Sequence, residues 1–295
     1  MQNKMNLIDV IIPTRNRVNT LRLVLSTYLK QELLRRVIII DDASDEKNKR
    51  EFGELLKEYP EIIYKRFEKQ IFLPQARNEG IKLSSAEYIF MGEDDVYLED
   101  NHFKILFELM QKYNADLIAG RRIYIKENQN FEEAKKIADE DKSPIFTKFP
   151  LEGYFERFFE EDILNPPFLH SNVLVKKSVY NKVLYDSNYR GNSFREDLDF
   201  FLNCLANNFS MVLTNKTSCY HIKSGVNKKG GARMKRLVYE YYVWKNTFYC
   251  FWKNKKVLRE KLGIRFPILY ALLSLIWRYP YAIYRRLKWK IIKKF

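Results

Sequence analysis

The sequence predicts an α/β protein in which a mostly parallel sheet is flanked by helices and followed by a C-terminal helical extension rich in basic and aromatic residues. First, short apolar segments rich in β-branched residues alternate with stretches of helical spacing, the order expected of repeated strand–helix units. Second, the composition changes in the last quarter of the chain. A chain of 295 residues can bury the core of one large domain and still carry such an appendage.

Four apolar segments, at residues 7–12, 36–41, 61–66 and 87–91, predict the strands of this sheet. Their nearly continuous apolar character suits strands that are buried on both faces, as in a parallel sheet. Apolar residues at three- and four-residue spacing predict two helices between them. These residues are Leu21, Val24, Leu25 and Tyr28 in the first helix, and Phe52, Leu55, Leu56 and Tyr59 in the second.

Polar clusters follow three of the strands: "PTRNR" (13–17), "DDAS" (41–44) and "GEDD" (92–95). A fourth cluster, "LPQARNEG" (73–80), opens a helix before the last of these strands. Ligands of open α/β sheets bind in the crevice beyond the carboxyl ends of the strands, so all four clusters are expected to face one crevice. The sequence contains neither the glycine-rich dinucleotide fingerprint nor the phosphate loop. The crevice therefore resembles a nucleotide site without a glycine cradle.

Three adjacent acids, Glu93, Asp94 and Asp95, follow the fourth strand, although like charges side by side repel. A divalent cation, Mg²⁺ or Mn²⁺, would explain them, since such ions take one or two carboxylates together with substrate phosphate oxygens. Asp95 would then hold the metal, which neutralises a diphosphate leaving group, while Asp94 or Glu93 accepts hydrogen bonds from ribose hydroxyls. An ordinary solvated turn is the alternative on spacing alone.

Five motifs stand in order along the chain: "VIIPTRNR", "IIIDDAS", "ARNEG", "EYIFMGEDDVYL" and "FREDLDF". Each alone is weak, but in this order and spacing the chain resembles the family 2 glycosyltransferases of GT-A fold over about residues 6 to 225. The resemblance implies an inverting transferase that uses a divalent cation and a nucleotide-diphospho-sugar donor. A UDP-sugar is the donor we expect, because UDP is the commonest donor nucleotide of the family.

The resemblance also assigns site residues by position. These are Pro13, Thr14 and Arg15 for the nucleoside pocket, Asp42 and Arg77 for the base, Asp94 or Glu93 for the ribose, and Asp95 for the metal. Family members usually carry Asp at the first acidic position, where this chain has Glu93, or Gly92 if the motif is aligned one residue earlier. Many GT-A enzymes complete the metal shell with a histidine, which falls here on His221 after the predicted strand 209–214; an ordinary polar role is the alternative.

Transfer with inversion needs one carboxylate to deprotonate the acceptor hydroxyl as it attacks. Residues 191–208 offer Glu196, Asp197 and Asp199. Ser193, followed three residues later by Glu196, predicts a capping box, which gives Glu196 a structural role. The resemblance places the family's Glu-Asp pair on Glu196 and Asp197, so we predict Asp197 as the base, with Asp199 in reserve. The alternative is that all three acids merely favour the positive end of a helix.

The positive charge of the chain is concentrated near its end. From His221 onward there are 20 of the 52 Lys and Arg residues but 2 of the 37 acids. Residues 233–256 combine basic and aromatic residues at helical spacing, and the uncharged run 266–277 is shorter than the roughly 20 residues that cross a bilayer. Such a composition is typical of a helix lying on an anionic membrane surface. A helical hairpin that packs on the catalytic domain or on a partner subunit is the alternative.

We therefore expect two domains, a catalytic GT-A domain at 1–232 and a membrane-associating amphipathic extension at 233–295. Membrane association suggests a glycan or lipid-linked glycan as the acceptor. Three scattered cysteines without a CxxC pair favour a reducing compartment, and the first residues do not form a signal peptide. The expected location is cytoplasmic, on the inner face of the cell membrane.

Three other functions stay open. A non-catalytic nucleotide-sugar binding or scaffold protein would bind the donor with metal and would tolerate Asp197→Asn. A sugar nucleotidyltransferase normally needs a glycine-rich basic loop after the first strand, which residues 13–17 do not supply. A nucleic-acid binder would lose affinity steeply with salt, but the acids of the crevice speak against it, and no nucleic-acid partner is expected.

Overall fold

The computed structural model describes residues 7–126, 129–222 and 234–292, and side chains as far as residue 280. Its strands are β1 (Ile8–Thr14), β2 (Leu34–Asp41), β3 (Ile63–Arg66), β4 (Tyr88–Met91), β5 (Val96–Leu98), β6 (Leu117–Ile125), β7 (Phe146–Thr147), β8 (Glu152–Gly153), β9 (Ile163–Leu164), β10 (Leu174–Lys176) and β11 (Met211–Ile222). Its α-helices are α1 (Val18–Leu29), α2 (Glu46–Glu58), α3 (Leu73–Leu83), α4 (His102–Lys112), α5 (Phe131–Glu140), α6 (Glu196–Ala206), α7 (Arg236–Lys253), α8 (Lys255–Glu260) and α9 (Pro267–Ile292).

The main sheet is mostly parallel, as the sequence predicts. Its strand order is β3–β2–β1–β4–β10–β6–β11–β5, and β9 pairs with β11 beside this path. The first four strands are parallel neighbours, β10 runs antiparallel between β4 and β6, and β5 runs antiparallel to β11. Strands β7 and β8 form a separate two-stranded sheet. The α/β architecture predicted from the alternation of apolar segments is thus confirmed.

A hydrophobic core lies on each face of the sheet, because side chains alternate along a strand. In β1, Val10 and Ile12 belong to the core that α1, α2 and α4 cover. Ile11 between them belongs to the core that includes residues of α3, α6, α7 and α8. The apolar runs used to predict the strands are continuous because both faces are buried.

The pairing register brings the polar clusters to one edge. Thr14 at the end of β1 pairs with Asp41 at the end of β2. On the other side of β1, Ile11 pairs with Met91, the last residue of β4. The segments that continue from β1, β2 and β4 therefore leave the sheet side by side.

Several strands depart from the sequence predictions, β6 and β11 among them. β6 was not predicted, and β11 continues eight residues beyond the end predicted at 214, to Ile222. This extension pairs His221 with Val96 of β5 and so sets the imidazole next to the acids that precede β5.

The helices α7 and α8 share a core with the sheet. Cys250, Phe251 and Leu258 are buried in the cluster that also contains residues of α6. Lys253 Nζ lies 2.7 Å from carboxylate oxygens of both Asp186 and Asp199, which ties α7 to α6. Within the described ranges, no helix is long and apolar enough to cross a membrane. The predicted domain boundary after residue 232 lies outside the described residues.

Candidate active site

A cleft of about 250 Å³, here called the first pocket, opens where β1, β2 and β4 end. Most of the residues predicted to bind donor or metal line it. They are Pro13, Thr14, Arg15, Asp42, Glu93, Asp94, Asp95 and His221. The other two predicted site residues, Arg77 and Asp197, line an adjoining pocket.

Asp94 is buried and held at both carboxylate oxygens. Thr14 Oγ1 donates a hydrogen bond to Oδ2 at 2.7 Å, and Arg17 Nη1 lies 2.8 Å from Oδ1. Burial, and then the neighbouring carboxylates of Asp95 and Glu93, raise the pKa of Asp94 to about 7 against the opposing effect of Arg17. Thr14 and Arg17 thus engage both carboxylate oxygens of Asp94.

Asp95 lies between a guanidinium and an imidazole. Arg17 Nη2 donates to Oδ2 at 2.6 Å, and His221 Nε2 lies 3.3 Å from the same oxygen. Burial acts to raise the pKa of Asp95, but the hydrogen bonds and charges of His221 and Arg17 hold it well below its usual range. Asp95 is therefore an anionic carboxylate facing the first pocket.

Glu93, Asp95 and His221 form a donor set that fits a divalent cation. One ligand atom from each lies within 4.8 Å of the others. Carboxylate oxygens suit Mg²⁺ and Mn²⁺, and imidazole is the commonest protein metal ligand. Nδ1 of His221 is buried and has no hydrogen-bond partner within the described part of the chain. The chemistry of this set is compatible with the metal predicted from the sequence.

Glu93 is also held by groups from distant strands and loops. Arg122 Nη2 donates to one carboxylate oxygen at 2.6 Å, and Ser171 Oγ donates to the other at 2.5 Å. Arg122 Nη1 donates in turn to Ser171 Oγ at 2.8 Å. Burial opposes ionisation, but Arg122 lowers the pKa of Glu93 below its ordinary value. Arg17, Arg122 and Ser171 were not predicted from the sequence as site residues.

The adjoining cavity, here called the second pocket, has a volume of about 420 Å³. Leu73, Glu93, Arg122 and Ser193 line both pockets. A ligand can therefore extend from the first pocket into the second, where Asp197 lies.

The three acids at the start of α6 have different environments. Glu196 is buried and forms an ion pair with Arg77. Asp199 is fully buried, with Lys253 Nζ at 2.7 Å and Asn254 Nδ2 at 2.6 Å from its carboxylate oxygens. Asp197 is half-buried in the second pocket, and among the described residues no cation lies within ion-pair distance of it. Of the three, Asp197 is thus the acid that lines the second pocket without a cation partner among the described residues.

The capping box predicted for Ser193 and Glu196 is wrong. α6 begins at Glu196, and Arg195 before it occupies the N-cap position with φ of 70°. The Glu196 carboxylate turns to Arg77 on α3, and neither residue of the predicted box makes a capping hydrogen bond to the helix. The charge-assisted bond to the buried Arg77 guanidinium thus takes the place of the predicted cap.

The other residues predicted to bind the sugar donor differ in their surroundings. Asp42 accepts hydrogen bonds from the backbone N–H groups of Ile71 at 2.5 Å and Phe72 at 3.2 Å, which fixes the loop before α3. Arg15 lines the first pocket, and its Nε has no hydrogen-bond partner in the described ranges. Arg77, predicted to contact the base, lines the second pocket, where Glu196 holds its guanidinium.

The loop before α6 depends on α7. Asn246 Nδ2 donates to the Arg190 carbonyl at 3.1 Å, and Asn192 Nδ2 donates to the Tyr239 carbonyl at 3.2 Å. Gly191, which lines the first pocket, has φ of 68°, and a Cβ there would lie 2.2 Å from the Tyr242 ring. The C-terminal helices thus help to position the wall between the two pockets.

The comparisons with known proteins agree with this geometry. A family model described as glycosyl transferase family 2 matches residues 9–184, more than half of the chain. The poly(ribitol-phosphate) beta-N-acetylglucosaminyltransferase TarP of Staphylococcus aureus (strain N315) is 31% identical over 122 residues, which are 40% of this chain and 37% of that protein. Glycosyltransferase GlyA of Streptococcus pneumoniae serotype 4 (strain ATCC BAA-334 / TIGR4) is 25% identical over 126 residues, 41% of this chain and 18% of that protein.

Among solved structures, the crystal structure of GalNAc-T7 with UDP, GalNAc and Mn²⁺ has a similar fold. The TM-score is 0.59 with 15% sequence identity, and the match covers 75% of this chain and 45% of that chain. At this identity the likeness concerns the fold alone, and it confirms the GT-A architecture predicted from the sequence. Each of these matches spans less than half of the other protein.

Proposed function

The chain belongs to glycosyl transferase family 2, and we propose that it is an inverting, metal-dependent transferase that moves a sugar from a nucleotide-diphospho-sugar to an acceptor hydroxyl. The observation that carries this proposal is the arrangement of two adjoining pockets. The first gathers acids and His221, whose chemistry suits a metal and a diphosphate. The second presents Asp197 at the other side of their shared wall.

The nucleotide is proposed to bind in the first pocket. Pro13, Thr14 and Arg15 line it from the segment at the end of β1, and Asp42 fixes the loop that forms another side. The unpartnered Nε of Arg15 is a hydrogen-bond donor available to the nucleotide. UDP is the nucleotide we propose, because the family resemblance favours it and because the GalNAc-T7 structure of similar fold was determined with UDP and Mn²⁺.

We propose Asp95 and His221 as metal ligands, with Glu93 in reach of the same position. When bound there, a divalent cation would neutralise the charge of the diphosphate leaving group. Arg17 would give up its ion pairs with Asp94 and Asp95 to such a cation. Its guanidinium would then be free to bind phosphate oxygens, and Asp94 would be free to accept a ribose hydroxyl.

Asp197 is the proposed base. It accepts the proton of the acceptor hydroxyl while the acceptor oxygen forms a bond to the anomeric carbon. The bond from that carbon to the diphosphate breaks, and the diphosphate leaves from the opposite face with the bonding electron pair. Asp197 suits this role because Glu196 and Asp199 are held by Arg77 and Lys253.

Replacement of Asp197 tests the chemistry. Asp197→Asn is expected to lower kcat by about 10²–10⁴-fold while leaving donor affinity unchanged, because a general base contributes in that range. The matched control is Asp199→Asn, which weakens a buried ion pair with Lys253 and is expected to lower stability more than kcat. Donor turnover and calorimetric donor binding are measured on both. Full turnover by Asp197→Asn would remove Asp197 from the mechanism.

A glycan or lipid-linked glycan is the acceptor we propose, at an anionic membrane surface on the inner face of the cell membrane. Apolar side chains about half exposed on α9 support this proposal. They are Ile268, Leu269, Leu273, Ile276 and Trp277. The division into a catalytic part at 1–232 and an extension at 233–295 stays a proposal, in which α7 and α8 belong to the extension yet pack against the catalytic core.

A non-catalytic nucleotide-sugar binding protein is the second candidate. Such a protein would bind donor with metal but show no turnover, and Asp197→Asn would change nothing.

A further inference from the structure

An apolar groove of about 710 Å³ lies between residues 146–151 and the start of α9, apart from the metal set and from Asp197. Its lining includes Phe149 and Leu262, with Leu269 and Leu273 of α9. Leu269 is 53% exposed and Leu273 is 48% exposed. An apolar concavity of this size leaves its walls in contact with water, which favours an apolar occupant.

Three exposed cations line the same groove: Lys148, Lys261 and Arg265. Within the described residues no Asp or Glu lines it. Lys261 Nζ donates to Asn208 Oδ1 at 3.0 Å, which is a neutral partner. The hydroxyl of Tyr270 donates to the Lys148 carbonyl, so the loop and α9 are joined beside the groove. The occupant that complements this lining is apolar and carries a negative charge.

The groove adjoins both an exposed apolar side of α9 and the second pocket. Ile276 and Trp277, 51% and 48% exposed, follow Leu269 and Leu273 of α9 at helical spacing. Phe168 lines both the groove and the second pocket. An occupant of the groove therefore lies beside the pocket that contains Asp197.

We propose that the groove binds a hydrocarbon chain of an anionic membrane phospholipid, with Lys148, Lys261 and Arg265 binding the lipid phosphate. A free anion would leave the apolar walls of the groove in contact with water, and a neutral lipid would leave the three cations without an anionic partner. The proposal rests on the proposed membrane contact and is independent of sugar transfer. Lipid bound there would hold the second pocket at the membrane surface, where a lipid-linked acceptor lies.

Leu269→Lys in the full chain separates chain burial from simple charge attraction. The variant adds a positive charge, so surface attraction alone would strengthen binding to anionic vesicles, whereas loss of an apolar wall weakens it. We expect about tenfold weaker binding to vesicles of equal parts phosphatidylcholine and phosphatidylglycerol, measured by co-sedimentation. The matched control is Leu237→Lys on α7, where the leucine is 84% exposed, and its binding should equal or exceed that of the wild type. Equal binding by the two variants would overturn the proposal.

A second pair of variants tests the phosphate site without touching the apolar wall. Lys148→Gln is expected to weaken binding to the same vesicles about fivefold, since a basic residue near an anionic surface contributes about this factor. Lys136→Gln on α5, another exposed lysine, should bind as the wild type does. Equal affinity of the wild type for pure phosphatidylcholine vesicles would contradict an anionic ligand.

Monomeric lipid distinguishes the groove from the α9 surface as a whole. Short-chain phosphatidylglycerol below its micellar concentration should bind to the wild type and to Ile276→Lys in calorimetry, but not to Leu269→Lys. Two results would overturn the assignment. The first is that short-chain phosphatidylglycerol binds to both variants. The second is that the wild type forms a dimer that does not bind vesicles and that dissociates in the Leu269→Lys variant. UDP binding with Mn²⁺ is titrated in parallel, so a failure of the donor proposal is distinguishable from a failure at the groove.

Discussion

At the scale of single residues, Arg17 explains how two buried acids can lie side by side. Its guanidinium is 2.8 Å from Asp94 and 2.6 Å from Asp95, and the three side chains are nearly buried. Buried charges without partners are strongly destabilising, whereas paired ones are tolerated. The acidic cluster is therefore neutralised by the chain itself before any cation binds.

Removal of Arg17 should make stability depend on metal. Arg17→Gln leaves Asp94 and Asp95 without their cation, so we expect a loss of about 3–5 kcal/mol in the free energy of unfolding in EDTA. Mn²⁺ should restore part of that loss, and should stabilise the variant more than the wild type. Urea denaturation with EDTA or Mn²⁺ measures this. The control is Arg22→Gln, whose exposed pair with Glu58 contributes less than about 1 kcal/mol. An identical Mn²⁺ effect in variant and wild type would contradict this role.

His170 is a second residue whose charge state follows from its partners. Nε2 lies 2.7 Å from the Gly120 carbonyl and must donate to it, while Nδ1 accepts a hydrogen bond from the Asn172 N–H at 3.2 Å. An imidazole that accepts at Nδ1 is neutral. Burial, and then the charge of Arg122, lower the pKa of His170 to about 3.

This lowered pKa predicts a pH dependence of stability. Because the folded pKa lies below the unfolded value of about 6.5, the unfolded chain binds the proton first as the pH falls. The stabilisation is complete above about pH 6.5 and is lost toward pH 3, at up to about 1.4 kcal/mol per pH unit. His170→Gln should reduce this slope by up to one proton in urea denaturation as the pH falls from about 7 to about 5. Equal slopes in both proteins would show that folding does not lower the pKa of His170.

The acids of the site were predictable from the sequence, but most of their partners were not. Glu93, Asp94 and Asp95 are consecutive, so their mutual repulsion is visible in the sequence. Arg122 and Ser171 meet Glu93 from 29 and 78 positions away, and only the folded sheet joins them. Arg17 lies within the polar cluster 13–17, which was predicted to face the crevice. Its place at the crevice was therefore predictable, whereas its ion pairs with Asp94 and Asp95 were not.

At the scale of elements, the parallel strands were predictable because their runs are apolar without interruption. β6 was missed because Arg121 and Arg122 interrupt its pattern. Both are accommodated in a central strand by acids, Arg121 by Asp139 at 2.5 Å and Arg122 by Glu93 at 2.6 Å. A pattern of hydrophobicity cannot reveal a strand whose charges are paired by residues distant in sequence.

The loop between β10 and α6 should be sensitive to the addition of a single methyl group at Gly191. Gly191→Ala places a Cβ against the Tyr242 ring at a positive φ, so we expect a loss of at least about 1–3 kcal/mol in the free energy of unfolding. Gly53→Ala is the matched control, because no atom lies within 4 Å of its added Cβ in α2. Alanine favours a helix over glycine by up to about 1 kcal/mol, so this change should be neutral or stabilising. The free energy of unfolding of both variants is measured by urea denaturation. A change of the same sign in both variants would contradict this prediction.

At the scale of the whole molecule, the first pocket and the end of the chain differ in their charge. The acids of the first pocket are balanced by Arg17 and Arg122, whereas the positive excess of the protein lies in its last quarter. α7 joins the two parts, since it carries Lys253, which binds Asp199 of α6, and also supports the loop that forms the wall between the pockets. A change in the C-terminal helices would therefore reach the residues that line the two pockets through packing.

The most direct test of the central claim is calorimetric titration of UDP, GDP and dTDP, each with and without Mn²⁺, on the wild type and on Asp95→Asn. We predict that one nucleotide, UDP, binds to the wild type in the presence of Mn²⁺ and that this metal-dependent binding disappears in Asp95→Asn. If no nucleotide binds with metal, or if Asp95→Asn binds as the wild type does, the acidic cluster is structural and the proposed donor site is wrong.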